Sequence, residues 1–113
     1  MTAGIDKEAD PNGLDQHQRG AKLDLGKPRT GLVVLGFSRA ISAVAEVGTY
    51  GAAKYTDDGW MFVDRGEARY TDAMLRHLLA EGSGNPLDPD TGLLHAARVA
   101  WNALARLDLA SLS

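Results

Sequence analysis

Apolar residues recur three or four positions apart in three stretches of this chain, which is the spacing of an α-helix with one buried face. The stretches cover residues 35–55, 67–82 and 93–109. The third is apolar around most of its circumference, as in a helix that neighbours cover on several sides. Segment 32–37, LVVLGF, fits either a brief strand or the run into the first helix. The pattern predicts an all-α fold, a small bundle of about three main helices.

The N-terminal part of the chain lacks this period. Residues 1–21 are polar and rich in Asp, Gly and Gln, which predicts a disordered or loosely docked tail. Residues 22–31 alternate cations with apolar positions around a proline, which favours an extended N-terminal arm. After the second helix, Gly82 or Gly84 is the expected stop. We therefore expect a tail over 1–21 and a single helical domain over 22–113.

Composition narrows the classes of partner. The 113 residues carry a formal net charge of −3 and no cysteine, so disulfides and thiolate metal sites are excluded. A protein that coats nucleic acid or an anionic membrane usually carries a basic surplus, and this chain does not. Because no apolar run approaches the roughly 20 residues that span a bilayer, we expect a cytoplasmic protein. Three helices make a thin bundle, so a homo-oligomer is expected to complete the core.

Polar residues follow the first two predicted helices at helical spacing. Glu46, Tyr50 and Lys54 are four positions apart, which describes either a solvated face or a carboxylate and a lysine that point into a cleft. On the second helix, Asp72 belongs to a charged ladder that is usually surface decoration. His77 lies at the edge of the apolar face, where a histidine is more often structural than a ligand.

The third helix carries one polar stripe on an otherwise apolar surface, formed by His95, Arg98 and Asn102. A buried amide such as that of Asn102 needs a partner, because leaving it unpaired costs about 1–3 kcal/mol. The stripes of the three helices either converge on one polar cavity or remain separate faces. No Walker loop, GxGxxG, HExxH or GxSxG motif occurs. The inventory of possible hard-metal ligands is Glu46, Asp72, Asp88 and Asp90, with His77 and His95 as softer candidates.

The order of the motifs is more specific than any one of them. KLDLGKPR comes first, then YGAAKY, GW, DAMLRH, DPDTGLLH and AWNAL. Over Lys22 to Leu107 this order resembles the phage family described as the N-terminal domain of dATP/dGTP diphosphohydrolase. Gly59 departs from the family pattern, which usually has Asn before the tryptophan. The resemblance implies phage origin and purine deoxynucleotide chemistry.

The resemblance also implies which residues form the site. Residues matched to the family motifs are Lys22, Asp24, Lys27, Arg29, Tyr50, Lys54, Tyr55, Trp60, Asp72, Arg76, His77, Asp88, His95 and Asn102. In an Mg²⁺- or Mn²⁺-dependent hydrolase of phosphoanhydride bonds, the cations would neutralise phosphate. Glu46 and Asp72 would hold the metal, and His77 or His95 would position water or the substrate. The catalytic candidates are Glu46, Asp72 and His77. Trp60 would either stack on a base or close the core.

Three functions remain open at the level of sequence. The first is pyrophosphohydrolysis of dATP or dGTP. The second is a binder without chemistry, with which a phage sequesters a nucleotide or a nucleotide-derived immune signal of its host. The third is a structural module. MazG-like pyrophosphohydrolases, which accompany this family, carry E-x-x-E and E-x-x-D motifs. Neither motif is recognisable in this chain, so binding without hydrolysis remains an alternative.

Overall fold

The computed structural model describes residues 8–112, so the first seven residues of the predicted tail lie outside it. Within that range the chain forms four α-helices, one 3-10 helix and no strand. They are α1 (Thr30–Gly36), α2 (Ser38–Lys54), the 3-10 helix Gly59–Phe62, α3 (Gly66–Gly82) and α4 (His95–Ser111). The predicted all-α class is confirmed. Segment 32–37 forms no strand, because all but its last residue lies in α1.

Two compact units are present, with the boundary between residues 36 and 37. In the N-terminal unit, the buried carboxylate of Asp10 accepts hydrogen bonds from the backbone N–H groups of Lys22 (2.8 Å) and Asn12 (2.7 Å). The N–H of Lys22 is the main reason that the pKa of Asp10 lies below its ordinary 3.8. Asp10 thereby closes the turns of residues 10–22. The predicted division of the chain at residue 21 stays a prediction.

Aromatic packing organises the C-terminal unit, in which α4 packs along α3 and, over a shorter stretch, against α2. The ring of Trp101 on α4 meets Trp60 edge-on at a centroid distance of 6.0 Å and Tyr70 at 5.6 Å. The hydroxyl of Tyr70 donates to the carbonyl oxygen of Trp60 at 2.8 Å. A Cβ at Gly48 would lie 3.3 Å from Nε1 of Trp101. The missing side chain therefore lets α2 approach α4 closely.

The end of α3 is defined by a Schellman motif. Gly84 has a φ of 95°, a conformation that glycine adopts without steric cost. Its N–H donates to the carbonyl of Glu81 at 3.0 Å, and the N–H of Asn85 donates to that of Ala80 at 3.2 Å. The predicted stop at Gly82 or Gly84 is confirmed, and the chain leaves the helix in a defined direction.

Few side chains are buried in the part of the chain that the structure describes. The buried apolar residues are Val47, Ala97 and Ala105, whereas many large apolar side chains, such as Leu79 and Leu107, are exposed. Among the described residues no single helix is long and apolar enough to cross a membrane. Only α1 and α2 taken together reach that length and composition. Many large apolar side chains of the helices therefore remain exposed in a single chain.

Candidate functional site

The loop between α3 and α4 holds Asp88 in a fixed position. The N–H of Asp88 donates to the carbonyl of Leu93 at 2.8 Å, and the N–H of His95 donates to that of Pro86 at 2.9 Å. Gly92, with a φ of 74°, donates to the carbonyl of Asp88 at 2.7 Å. A residue with a side chain would be strained at that φ. These bonds close the loop and place Asp88 beside the first turn of α4.

Two histidines from different helices meet next to this loop. Nδ1 of His77 on α3 lies 2.8 Å from Nδ1 of His95 on α4. At this distance one nitrogen donates and the other accepts, so at least one imidazole lacks a proton on Nδ1. His95 and Asp88 are both buried, and His77 is half-buried. One ligand atom from each of the three lies within 4.8 Å of the others. We call His77, Asp88 and His95 the His–Asp cluster.

Arg98 extends the His–Asp cluster towards α2. Its Nε lies 3.1 Å from Oδ2 of Asp88, and both side chains are largely buried. The Nε–H makes no hydrogen bond, so the contact is an ion pair without a directed hydrogen bond. On its other side, the guanidinium carbon lies 5.2 Å from the ring centre of Tyr50. The amide of Asn102 donates to the carbonyl of Arg98 at 2.8 Å, so the backbone supplies the partner that this buried amide needs.

The electrostatic environment favours the neutral form of His77. Burial lowers the pKa of His77 below its ordinary 6.5, and the nearby Arg98 and His95 lower it further, while Asp88 opposes the shift. A neutral imidazole offers a lone pair that accepts a proton or binds a cation. The cluster thus contains a base, a carboxylate and a guanidinium within one small volume.

The structure brings together five of the residues predicted for the site: Tyr50, His77, Asp88, His95 and Asn102. Arg98 connects them, although the sequence assigns it only to the polar stripe of the third helix and not to the predicted site. Its signal in the sequence was its position three residues after His95 on an otherwise apolar helix. Only the tertiary structure shows that Asp88 lies opposite it.

The remaining predicted site residues are exposed or make other contacts. Lys54 and Tyr55 contact one another at the end of α2, with the Lys54 Nζ 5.3 Å from the ring centre of Tyr55. Trp60 packs against Trp101, as expected if this residue closes the core rather than stacks on a base. Exposed positions on α2 and α3 hold Glu46, Asp72 and Arg76. The N-terminal unit holds Lys22, Asp24, Lys27 and Arg29, with Lys27 paired to Glu8 at 3.3 Å. Their functional roles stay predictions.

Two grooves beside α3 and α4 are lined by residues other than the histidines of the cluster. A groove of about 500 Å³ is lined by Glu67, Thr71 and Arg106 among others, and another of about 540 Å³ by Arg65 and Leu112 among others. Arg106 is engaged there, since its Nε donates to the hydroxyl of Thr71 at 2.6 Å. The chemistry of the cluster, rather than the size of these grooves, identifies the candidate site.

Comparison with known families agrees with the motif order. The model of the family described as dATP/dGTP diphosphohydrolase, N-terminal, matches residues 17–112. The chain belongs to this family. Its match includes the whole His–Asp cluster and Arg98. No curated protein and no solved structure shows significant similarity to the chain.

Proposed function

We propose that this chain binds a purine deoxynucleoside triphosphate and hydrolyses its phosphoanhydride bond with the help of Mg²⁺ or Mn²⁺. The observation that carries the proposal is the convergence of His77, Asp88, His95 and Arg98 at the junction of α3 and α4. The description of the family supplies the substrate class, dATP or dGTP. Positive charge beside a neutral base is what phosphoryl transfer requires, because its catalysis is mostly positioning and charge stabilisation.

In the proposed reaction, water attacks the α-phosphorus. A new P–O bond forms, and the bond to the bridging oxygen breaks as pyrophosphate leaves. Neutral His77 accepts the proton of the attacking water. Arg98 exchanges its partner Asp88 for a phosphate oxygen, and Lys54 adds charge at the end of α2. Tyr50 or Tyr55 offers an aromatic face to the purine.

A second candidate function is binding without hydrolysis. It is favoured by the shortage of carboxylates, because Asp88 supplies the only carboxylate of the His–Asp cluster and already faces Arg98. In the cytoplasm of its host, a phage would use such a protein to withhold a nucleotide or a nucleotide-derived immune signal. The aromatic and cationic groups serve that role equally well.

One experiment separates the two functions. The protein is incubated with dATP or dGTP and with Mg²⁺ or Mn²⁺, and both the products and the bound nucleotide are analysed after heat release. We expect pyrophosphate and the monophosphate, and a loss of turnover in Arg98→Gln but not in Arg19→Gln, an exposed arginine of the N-terminal unit. Intact nucleotide recovered from the protein would overturn hydrolysis and leave the binder. Failure to bind either nucleotide would overturn hydrolysis and the withholding of dATP or dGTP.

We also propose that copies of the chain assemble through their exposed leucines. Three buried apolar residues do not make a core, and Leu79 and Leu107 on the paired helices are 71% and 68% exposed. A second copy of the chain would cover large apolar side chains that one chain leaves exposed. Size-exclusion chromatography with light scattering should give a homo-oligomer for the native protein and a smaller species for Leu79→Lys. A monomeric native protein would contradict the proposal.

A further inference from the structure

The His–Asp cluster has the composition of a transition-metal site, which differs from the metal ligands expected from the sequence. Those ligands, Glu46 and Asp72, are carboxylates on the exposed faces of α2 and α3. Among the described residues, the group of three metal-ligating side chains that lie close together is His77, Asp88 and His95. From the inventory of possible ligands in the sequence, the structure thus groups His77, Asp88 and His95 rather than the expected pair Glu46 and Asp72.

The donor chemistry of the cluster is selective. Mg²⁺ prefers six oxygen ligands in octahedral geometry and keeps several waters, so two imidazole nitrogens suit it poorly. Imidazole nitrogens suit Zn²⁺, Co²⁺, Ni²⁺ and Fe²⁺, and two histidines with one carboxylate form a common three-residue ligand set with open positions. A site with three protein ligands leaves room for water or a substrate oxygen.

The spacing of the donors requires only small movements. In a tetrahedral zinc site the ligand nitrogens are about 3.3 Å apart, given Zn–N bonds of about 2.0–2.1 Å. The two Nδ1 atoms of His77 and His95 are 2.8 Å apart. If these two atoms are the ligands, the imidazoles need to separate by about 0.5 Å to admit an ion. The ion would then take the place of the proton that joins them.

The rigid surroundings of the His–Asp cluster also favour a metal site. His95 and Asp88 are 5% and 7% exposed, and the closed loop fixes both. Oδ1 of Asp88 accepts the N–H of Asp90 at 2.9 Å, which orients the carboxylate with Oδ2 towards Arg98. Such a hydrogen bond to a ligand is typical of metal sites, where outer partners orient the coordinating groups.

We propose that His77, Asp88 and His95 bind one transition-metal dication per chain, of the class of Zn²⁺ or Co²⁺, with at least one coordination position open to water or to a phosphate oxygen. The inference rests on the proposed function for the use of that ion, which would then activate the attacking water in place of a free His77 base. The binding of the ion does not depend on turnover. Arg98 would give up its contact with Asp88 for a phosphate oxygen of the incoming nucleotide, as in the proposed reaction.

The test measures binding of the metal itself. Untagged, chelator-stripped protein is titrated with Co²⁺ and Zn²⁺, and bound metal is quantified by elemental analysis after desalting. The visible spectrum of Co²⁺ reports nitrogen ligation and coordination number. The variants are His77→Gln, at a half-buried position, and His17→Gln, a matched control. His17 is an exposed histidine of the N-terminal unit that contacts Gln16. Circular dichroism confirms that each variant retains its helices.

We expect one ion per chain in the native protein and in His17→Gln. In His77→Gln the metal affinity should be at least about tenfold lower, because even the loss of a residue that only hydrogen-bonds to a ligand lowers metal affinity by about 10–100-fold. Mg²⁺ should not compete at equal concentration. No bound Co²⁺ or Zn²⁺, or equal binding by native protein and a folded His77→Gln, would overturn the inference. Metal loss in His17→Gln alone would place the ion in the N-terminal unit and overturn it as well.

The outcomes for metal and for hydrolysis are independent. Protein that binds one Co²⁺ through His77 but leaves dATP and dGTP intact supports the metal site and contradicts the proposed hydrolysis. Protein that cleaves dGTP with Mg²⁺ and binds no ion at the histidines supports hydrolysis and contradicts the metal site.

Discussion

Asp88→Asn removes one negative charge from the His–Asp cluster and leaves Arg98 facing an amide. The amide that replaces the carboxylate keeps an oxygen that accepts the N–H of Asp90, so the turn survives. At the observed separation of 3.1 Å, the attraction between the two charges is about 5 kcal/mol in an effective dielectric of about 20. Desolvation offsets most of it, and removal of one partner of a fully buried pair costs about 3–5 kcal/mol.

The structure places the expected cost below that range. The side chains of Arg98 and Asp88 keep 18% and 11% of their exposure, and the Nε–H of Arg98 is not directed at an acceptor. We therefore expect Asp88→Asn to lower the free energy of unfolding by about 2 kcal/mol, which corresponds to a fall in Tm of about 10 °C for a domain of this size. The matched control is Asp90→Asn, an exposed carboxylate two positions away, which should change stability by less than about 0.5 kcal/mol.

The assay is urea unfolding followed by circular dichroism, in chelator and at a fixed protomer concentration, so that neither metal binding nor oligomerisation changes the comparison. A double-mutant cycle with Arg98→Met isolates the pair, and we expect a coupling energy of about 1–2 kcal/mol. A coupling near zero, or equal effects of Asp88→Asn and Asp90→Asn, would refute the reasoning that this ion pair stabilises the loop against α4.

Three further predictions concern contacts within one or the other unit. Tyr50→Leu should cost about 0.5–1 kcal/mol in urea unfolding because Arg98 loses an aromatic face, whereas Tyr50→Phe should match the native protein; equal losses would show that the hydroxyl matters instead. Trp101→Leu should cost about 3 kcal/mol, since it removes both edge-on aromatic contacts and leaves a cavity, and a loss below about 1 kcal/mol would contradict the central role of this ring. The lowered pKa of Asp10 means that its stabilising effect on the N-terminal unit is fully present above pH 3.8 and is lost as the pH falls through the folded-state pKa. The amide signal of Lys22, followed by NMR from neutral to acidic pH, should shift as that bond breaks, and Asp10→Ala should abolish the transition; an unchanged transition would assign it to another group.

Local chemistry made much of the helical architecture predictable. The 3.6-residue period of apolar positions fixes which segments form α2, α3 and α4, because only an amphipathic helix gives each of them a face to bury. Gly84 marks the end of α3 because a left-handed residue closes the last turn without steric cost. The sequence did not predict α1 as a separate helix, because a short apolar run such as LVVLG fits a strand and a helix equally well until its packing partners are known.

The candidate site was also predictable only in part. His77, Asp88, His95 and Asn102 were recognisable as polar residues in a motif order, and the stripe on α4 singled out Arg98. Their mutual distances were not accessible, because residues 77, 88 and 95 come from a helix, a loop and a second helix whose relative placement depends on packing at Trp101 and on the closed loop. The sequence by itself determined that α2, α3 and α4 form, where α3 ends, and which polar groups are present. Only the tertiary structure decided that two imidazoles, one carboxylate and one guanidinium share a site, because the distance between side chains on separate elements is set by packing and not by spacing along the chain.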